Sequence, residues 1–312
     1  GNLLGALSGI QLLVPANRFW VLLLGGCAVA VLWKGDTKII ARALSGIVVV
    51  MGFVFVVAAG LLLFAGTTFT GGGALATATV IGLVGTTIVP YNFFLAAGLS
   101  KGQKLGEMRL GMAGSFVVGA IIALSIVLVS SVATSFTNFA DLARTLDAAL
   151  GGWSKAVLGF GLFAAGFSSA VTAPLAAALA GRELLGTRAD SMVNTSTAFR
   201  GIWGGVLTVG LLVACLELDI IGVILAAQVA NGLLLPFIAA IVLVLANDQK
   251  LLGNNVNAMW QNIIGLLVAG FLAYKNFDLL LGKIASVEIG LLAEILALFY
   301  VVGVGWLIWR QR

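Results

Sequence analysis

The sequence predicts an all-α polytopic membrane protein, and three observations carry this prediction. The 312 residues are 61% hydrophobic and only 9% charged, whereas a water-soluble domain must present more charge to solvent. Apolar runs of about 20 residues recur, which is the length of a helix that crosses the hydrocarbon core. The runs are apolar on every face, whereas membrane β-strands alternate polar and apolar residues. Because lipid offers the backbone no hydrogen-bond partners, the spans must be helices.

Nine apolar segments are predicted to span the membrane, and a shorter apolar segment at residues 3–14 precedes them. The predicted spans cover residues 17–33, 43–65, 74–99, 110–132, 154–180, 198–216, 219–246, 256–274 and 288–309. Between the fourth and fifth spans, residues 139–150 repeat apolar side chains at helical spacing, which predicts a short amphipathic helix at the membrane surface. No soluble insertion interrupts the pattern, so residues 1–312 form a single predicted membrane domain.

Lysine and arginine are unevenly divided between the two sides of these spans. Twelve lie on the side that holds the C-terminus and the loops at residues 34–42, 100–109, 181–197 and 247–254, and five lie on the other side. The side with the excess is predicted to be cytoplasmic. Topology therefore explains the net charge of +5, and no nucleic-acid partner is needed. We expect an integral protein of a plasma membrane, such as a bacterial inner membrane.

Composition disfavours an enzyme. The chain contains no histidine, so it lacks the commonest metal ligand and the usual proton carrier at neutral pH. Its two cysteines, Cys27 and Cys215, lie in apolar spans and are expected to be small buried residues rather than a disulfide. No Cys–His pair and no carboxylate pair occurs in the spans. A membrane-embedded enzyme or a structural subunit is therefore the least supported class.

The third predicted span is interrupted at its centre by GTTIVPYN, residues 85–92. The ring of Pro90 clashes with the carbonyl of Thr86 four residues earlier, and Pro90 has no N–H to donate. Val89 is displaced from helical geometry because it precedes a proline. The sequence therefore predicts two half-helices separated by a break, with unpaired carbonyls at the end of the first.

Unpaired carbonyls at a helix C-terminus carry partial negative charge and favour a cation. Broken helices that meet at mid-membrane are typical of the substrate sites of secondary transporters. A simple proline kink is the alternative. The Thr86–Thr87 pair, Asn92 and the glycines around Gly85 favour a functional break, because polar groups inside a membrane are costly.

A second polar position lies in ILAAQVANGLLLPF, residues 224–237. Gln228 and Asn231 are three residues apart and share one face of the helix. Pro236 is expected to free the carbonyl of Gly232. An amide oxygen is a suitable ligand for a hard cation, and a hydrogen bond between helices is an equally good explanation of these amides.

At these residues the chain resembles the Nramp family of divalent metal transporters over nearly its whole length. Residues 85–101 resemble the family's sixth helix, which carries the motif Met-Pro-His-Asn. Residues 161–178 resemble its eighth helix, with the pattern Ala-Ala-Gly-x-Ser-Ser, and residues 224–237 resemble its tenth. On this alignment residues 3–14 are the end of the third helix, so we expect this chain to lack the first two.

The resemblance implies a leucine-transporter-type inverted-repeat helical bundle. In that fold helices one to five and six to ten are inverted repeats, and helices one and six are broken at the metal site. Residues 1–65 would be the remainder of the first repeat, residues 74–246 the second repeat, and residues 255–312 additional C-terminal helices.

The resemblance also implies site residues. The family's backbone ligand in helix six corresponds to Thr86 and its helix-ten glutamine to Gln228, whereas the Asp and Asn ligands of helix one have no counterpart here. Val89 replaces the motif methionine, and Tyr91 replaces the motif histidine. We expect metal-site residues Thr86, Val89, Tyr91 and Gln228, a helix break at Gly85, Pro90 and Asn92, and surrounding residues Thr87 and Asn231.

These two replacements imply a change of selectivity. A thioether favours Mn²⁺ and Fe²⁺ over Mg²⁺, and an oxygen-lined site without one favours Mg²⁺ or a broad divalent range. Loss of the histidine argues against family-style proton coupling, since a tyrosine releases its proton poorly at neutral pH. We expect an alternating-access transporter of Mg²⁺, Mn²⁺ or related ions, with the metal as substrate and no cofactor. The alternative is a symporter of the same fold for a small organic solute such as an amino acid.

Overall fold

The computed structural model describes residues 1–34, 37–64, 77–87, 89–99, 102, 104–131, 138–184, 196–216, 218–284 and 290–311. Within these ranges the regular secondary structure is entirely helical, which confirms the predicted all-α class. The α-helices in chain order are α1 (Asn2–Leu13), α2 (Trp20–Trp33), α3 (Thr37–Phe64), α4 (Thr77–Thr87), α5 (Tyr91–Leu99), α6 (Leu105–Ser130), α7 (Phe139–Leu150), α8 (Ser154–Leu184), α9 (Thr197–Cys215), α10 (Ile220–Leu245), α11 (Gln249–Leu252), α12 (Met259–Ile284) and α13 (Gly290–Gln311).

The helices coincide with the predicted spans. Each of the nine spans corresponds to one helix, except that residues 74–99 are divided between α4 and α5. Among the described residues, six helices are long and apolar enough to cross a membrane, namely α6, α8, α9, α10, α12 and α13. The apolar parts of α1, α2, α3 and α4–α5 are shorter. The fold is that of a polytopic helical membrane protein.

The described helices fall into two compact units. The first comprises Gly1–Gly72 and Tyr91–Ile224, and the second comprises Gly73–Pro90 and Leu225–Arg312. The division therefore falls directly after Pro90 and again near the start of α10.

In the first unit α1 and α8 cross with their backbones in contact. A Cβ atom on Gly9 would lie 2.4 Å from the carbonyl oxygen of Gly159, and one on Gly166 would lie 2.4 Å from the amide nitrogen of Ala6. Small residues at such crossings let membrane helices approach closely. The core that surrounds this crossing is contributed by α1, α2, α8 and α9, and includes Leu4, Leu7, Val21, Leu32, Val171, Leu179 and Phe199.

In the second unit α10, α12 and α13 share a core that includes Leu243, Ala269, Val304 and Ile308. Buried amides join the end of α10 to the start of α12. Asn247 donates to the Oδ1 of Asn262 at 2.8 Å, and Asn262 donates in return to the Oδ1 of Asn247 at 2.7 Å. Each amide thereby satisfies the other in an apolar environment, where an unpaired amide would be costly.

Two further predictions concern local features. Residues 139–150 form helix α7, as predicted, and the Asn138 side chain caps it by accepting a hydrogen bond from the Asp141 N–H at 2.9 Å. The expectation that Cys27 and Cys215 are buried is wrong, because both are free and exposed. An apolar run has no polar face to show which side packs inward, so the sequence does not reveal that these two cysteines lie on exposed faces.

Candidate functional site

The predicted helix break is present. Helix α4 ends at Thr87 and α5 begins at Tyr91, with Val89 and Pro90 in non-helical conformation between them. In a continuous helix the carbonyl of Thr86 would accept from the N–H of residue 90, and Pro90 has none. The hydroxyl of Thr86 donates to the carbonyl of Leu83 at 2.7 Å. The hydroxyl is thus used within α4, and the backbone carbonyl is the group of Thr86 that the proline deprives of a donor.

The first half-helix packs by its backbone against α10. A Cβ atom on Gly85 would lie 2.1 Å from the carbonyl oxygen of Gln228 and 2.7 Å from the amide nitrogen of Gly232. A Cβ atom on Gly232 would in turn lie 2.5 Å from the carbonyl oxygen of Ile81. Only glycine fits both positions without movement of the backbone. This crossing brings the residue next to Thr86 directly against the turn of α10 that carries Gln228.

Gly85 was expected at the break, and the structure places it within α4, two residues before the helix ends. Its missing side chain matters for contact with α10 rather than for a turn. Sequence reasoning could not detect this contact, because the contacting residues are more than 140 positions apart in the chain. The pairing of Gly85 with Gly232 depends on the tertiary structure.

Gln228 and Asn231 lie together on α10, as their spacing predicts. The Nδ2 of Asn231 donates to the Oε1 of Gln228 at 3.1 Å, and both residues are half-buried. The bond orients the Gln228 amide and leaves its oxygen a second lone pair. The pair therefore presents amide oxygens, the kind of ligand that hard cations accept.

The carbonyl of Gly232 accepts a hydrogen bond from Asn276, a residue that was not among the predicted site residues. The Nδ2 of buried Asn276 on α12 donates to the carbonyl of Gly232 at 3.3 Å and to that of Leu233 at 3.1 Å. The Tyr300 hydroxyl on α13 donates to the carbonyl of Pro236. These bonds support α10 at its proline. Asn276 sits in an apolar helix, and a polar residue in such a place was the available signal.

The remaining predicted residues are divided between the units. Val89 is half-buried in the second unit, which also holds Gly85, Thr86 and Pro90. Tyr91, half-buried, and Asn92, exposed, form the start of α5 in the first unit. The side chain of Thr87 lies outside the described part of the structure. The structure thus brings Gly85 and Gln228 together, and the other roles stay predictions.

The candidate site offers uncharged oxygen atoms as metal ligands. In the part of the chain that the structure describes, no group of three or more His, Cys, Asp or Glu side chains is placed to hold a metal. The groups at the end of α4 and on the adjoining turn of α10 are backbone carbonyls and amides. These oxygen atoms suit a hard cation that keeps part of its water shell.

A bundle of apolar helices in which one membrane segment is broken at a proline defines a polytopic integral membrane protein. The sequence profile of the Nramp family, described as natural resistance-associated macrophage protein-like, matches residues 1–282. The chain belongs to the Nramp family, which confirms the resemblance seen at the helix-six, helix-eight and helix-ten motifs.

Three bacterial relatives are similar to the chain at low identity. It is 26% identical over 222 residues to divalent metal cation transporter MntH 1 of Pseudomonas aeruginosa. This match covers 64% of this chain and 49% of the relative. It is 27% identical over 220 residues to MntH of a Nostoc species, covering 64% and 49%. It is 24% identical over 216 residues to MntH of Clostridium acetobutylicum, covering 64% and 48%. The chain thus spans about half the length of these relatives.

Proposed function

We propose that the protein is a secondary transporter, and not an enzyme, that moves divalent metal cations across the membrane by alternating access. The observation that carries the proposal is the helix break at Pro90, with α4 in backbone contact with the helix that bears Gln228. Carbonyls freed at such a break are tolerated in a membrane where they line a cavity or hold an ion. Membership of the Nramp family, and the names of the three MntH relatives, support the same substrate class.

In this proposal the backbone carbonyl of Thr86 and the amide oxygen of Gln228 are metal ligands. Asn231 holds the Gln228 amide in position through their 3.1 Å hydrogen bond. Val89 and Tyr91 line the ion pathway beside the break. The cation is the transported substrate and is bound only in passage, so neutral oxygen ligands that release it readily are suitable.

The nature of Val89 supports a preference for hard cations. A valine offers no lone pair, so it cannot supply the soft contact that distinguishes Mn²⁺ or Cd²⁺ from Mg²⁺. We propose that the protein transports Mg²⁺ along with Mn²⁺. Because Tyr91 replaces the motif histidine, we also propose that uptake does not require a proton gradient.

The direct test is ion uptake by the protein, in its full natural length, reconstituted in liposomes. Entry of Mg²⁺ and Mn²⁺ is followed with internal dyes, with and without a pH gradient, and protein-free liposomes are the control. Saturable uptake of either ion is expected. Absence of uptake for both ions, in protein that remains monodisperse, would contradict the proposal.

The substitution Val89→Met tests whether residue 89 faces the ion. It restores the motif thioether, and we expect the Cd²⁺-to-Mg²⁺ uptake ratio to rise about tenfold, since soft ions gain a ligand they prefer. Val209→Met is the matched control, because Val209 is 61% exposed on α9. An unchanged ratio in Val89→Met would show that Val89 does not contact the ion.

The same assay separates metal transport from the alternative of a small organic solute. The N-terminal end of α5, which begins at Tyr91, carries the partial positive charge that attracts a carboxylate. Radiolabelled amino acids are therefore included as substrates. Amino-acid uptake that is indifferent to metal would favour the alternative.

Sidedness and repeat organisation belong to the same proposal. We infer that the lysine- and arginine-rich side is cytoplasmic and that residues 74–246 form the second inverted repeat. In a cysteine-free background, a cysteine at Lys250 is expected to be protected from impermeant thiol reagents in intact cells, whereas one at Lys155 is expected to react. The reverse labelling pattern would show that the lysine- and arginine-rich side is not cytoplasmic.

A further inference from the structure

A tyrosine outside the family-matched part of the chain forms a hydrogen bond with the helix that bears Gln228. The Tyr300 hydroxyl on α13 donates to the carbonyl of Pro236 on α10. The family match ends at residue 282, and α13 begins at Gly290, so family membership assigns no role to this bond. From residue 295 to residue 308, the only other side chain with a hydrogen-bonding group is Trp306. A polar group in such an apolar helix indicates a function.

Packing holds the Tyr300 ring in a fixed place. The ring is half-buried and packs against the core shared by α10, α12 and α13. A Cβ atom on Gly270 of α12 would lie 2.6 Å from the Cγ2 of Val301, so α12 and α13 are in close contact at the residue next to Tyr300. The hydroxyl therefore reaches the Pro236 carbonyl from a well-packed position, and the bond fixes α13 to α10 at this level.

Asn276 on α12 provides a second attachment one turn before the proline. Its Nδ2 donates to the carbonyls of Gly232 and Leu233 at 3.3 Å and 3.1 Å. A proline weakens a helix at this point, because it removes the backbone donor for the carbonyl four residues earlier. Donors from two different helices thus hold α10 at Pro236 and in the preceding turn.

The turn that Asn276 holds is also the turn that contacts α4. A Cβ atom on Gly232 would lie 2.5 Å from the carbonyl oxygen of Ile81, and one on Gly85 would lie 2.1 Å from that of Gln228. Gln228 lies eight residues before Pro236, which is about 12 Å along the helix, so a change of about 10° in helix direction at the proline would move it by about 2 Å. Because oxygen ligands lie about 2.0–2.6 Å from Mg²⁺ or Ca²⁺, such a movement would separate the amide from an ion.

We propose that Tyr300 is a positioning residue for the metal ligand Gln228. Through its bond to the Pro236 carbonyl, and together with Asn276, it sets the direction of the part of α10 that carries the ligand. The proposal rests on the proposed function, in which Gln228 binds the transported cation. Tyr300 acts without contacting the ion, because its hydroxyl is bonded to a carbonyl eight residues away from Gln228.

The test is the dependence of uptake on the concentration of Mn²⁺ and of Mg²⁺, in liposomes that contain the native full-length protein or Tyr300→Phe. The substitution keeps the ring and removes only the hydroxyl. We expect KM to rise about threefold, the typical contribution of one hydrogen bond between membrane helices, with the maximal rate unchanged. A role in stability alone would instead lower the thermal midpoint and the maximal rate and leave KM unchanged.

Tyr274→Phe is the matched control. Tyr274 is half-buried on the neighbouring helix α12, and its ring lies 5.2 Å from the Nζ of Lys275. The substitution removes a tyrosine hydroxyl and keeps this ring contact. The KM of Tyr274→Phe is expected to equal that of the native protein.

A double substitution shows whether Tyr300 acts through Gln228. Gln228→Ala removes the proposed ligand and is expected to raise KM by itself. In this background Tyr300→Phe is expected to cause no further rise, because no ligand is left to position. If Gln228→Ala no longer transports, Gln228→Asn, which draws the amide oxygen back by one methylene group, replaces it with the same expectation.

Two results would overturn the role of Tyr300 while transport stands. One is a native KM in Tyr300→Phe, and the other is a rise in KM of the same size with and without the Gln228 substitution. Failure of the proposed function is recognised separately, because the native protein would then take up neither Mn²⁺ nor Mg²⁺. In that case the positioning role is refuted together with the transport function.

Discussion

Two prolines in the second unit have opposite effects on their helices. Before Pro90 helix α4 ends at Thr87, and the described residues Val89 and Pro90 are non-helical where α5 begins at Tyr91. At Pro236 helix α10 continues without interruption. In both places the proline ring opposes the carbonyl four residues earlier, which belongs to Thr86 in the first case and to Gly232 in the second.

The neighbouring side chains differ between the two prolines. The Gly232 carbonyl accepts a hydrogen bond from Asn276, and the Tyr300 hydroxyl donates to the carbonyl of the proline itself. No described side chain donates to the carbonyl of Thr86, whose own hydroxyl is used within α4. At Pro236 these neighbours replace the lost donor. At Pro90 the carbonyl of Thr86 is left for another partner, which we propose to be the transported cation.

The largest expected effect follows from the crossing of α4 and α10. Gly85→Ala would place a methyl group 2.1 Å from the Gln228 carbonyl oxygen, so the two backbones must separate. We expect a loss of about 1–3 kcal/mol in stability, as for other overpacked sites. Uptake in liposomes is expected to fall about tenfold, because separating the backbones moves Gln228 away from the Thr86 carbonyl, and about 1.4 kcal/mol of lost ion binding corresponds to a factor of ten.

The control for this substitution lies one turn earlier. A methyl group on Gly82 would meet only Val229 Cγ2, at an ordinary 3.7 Å. Gly82→Ala is expected to preserve uptake and thermal stability. If Gly85→Ala and Gly82→Ala have the same uptake and thermal stability, close contact between the backbones of α4 and α10 is not required for either property.

The next effect concerns the break itself. Pro90→Ala restores a backbone N–H and allows α4 and α5 to join into one helix, which would occupy the Thr86 carbonyl. We expect a folded protein that is at least as stable, with uptake reduced by roughly tenfold through loss of a carbonyl ligand. Metal titration by calorimetry is expected to show weaker binding.

Pro174→Ala provides the comparison, because Pro174 lies inside the continuous helix α8. Its uptake is expected to match that of the native protein. If Pro90→Ala binds metal with the affinity of the native protein, the helix break does not contribute to ion binding.

The smallest effect tests the support at Pro236. Asn276→Ala leaves the carbonyls of Gly232 and Leu233 without their side-chain donor, at an expected cost of about 1 kcal/mol. The midpoint of thermal unfolding in detergent measures this loss. Asn255→Ala, at an exposed position, is the control, and equal midpoints for the two variants would show that the Asn276 bonds contribute nothing.

The features that could be predicted from the sequence are local ones. The break depends on a covalent property of Pro90 and on the residue four positions earlier, so it follows from the chain alone. The pairing of Gln228 with Asn231 follows from helical geometry over three residues. The helix positions follow from the length of each apolar run.

The features that could not be predicted depend on distant parts of the chain. Gly85 contacts Gly232 only because α4 and α10 cross at that level, and Asn276 reaches a carbonyl 44 positions earlier in the sequence. The outward position of Cys27 and Cys215 was also missed. In a uniformly apolar helix the sequence does not distinguish the face that packs from the face that meets lipid.

The reciprocal Asn247–Asn262 bonds have a mechanical consequence. Together with the bond from Asn276 to Gly232, they fasten α10 to α12 at two levels. The attachment points are 15 residues apart along the α10 segment, from Gly232 to Asn247, and 14 apart along α12, from Asn262 to Asn276. These spacings correspond to about 22 Å and about 21 Å at 1.5 Å per residue. Two helices joined by hydrogen bonds at two separate levels resist rotation as well as sliding relative to each other. A rotation of α10 is therefore expected to move α12 with it.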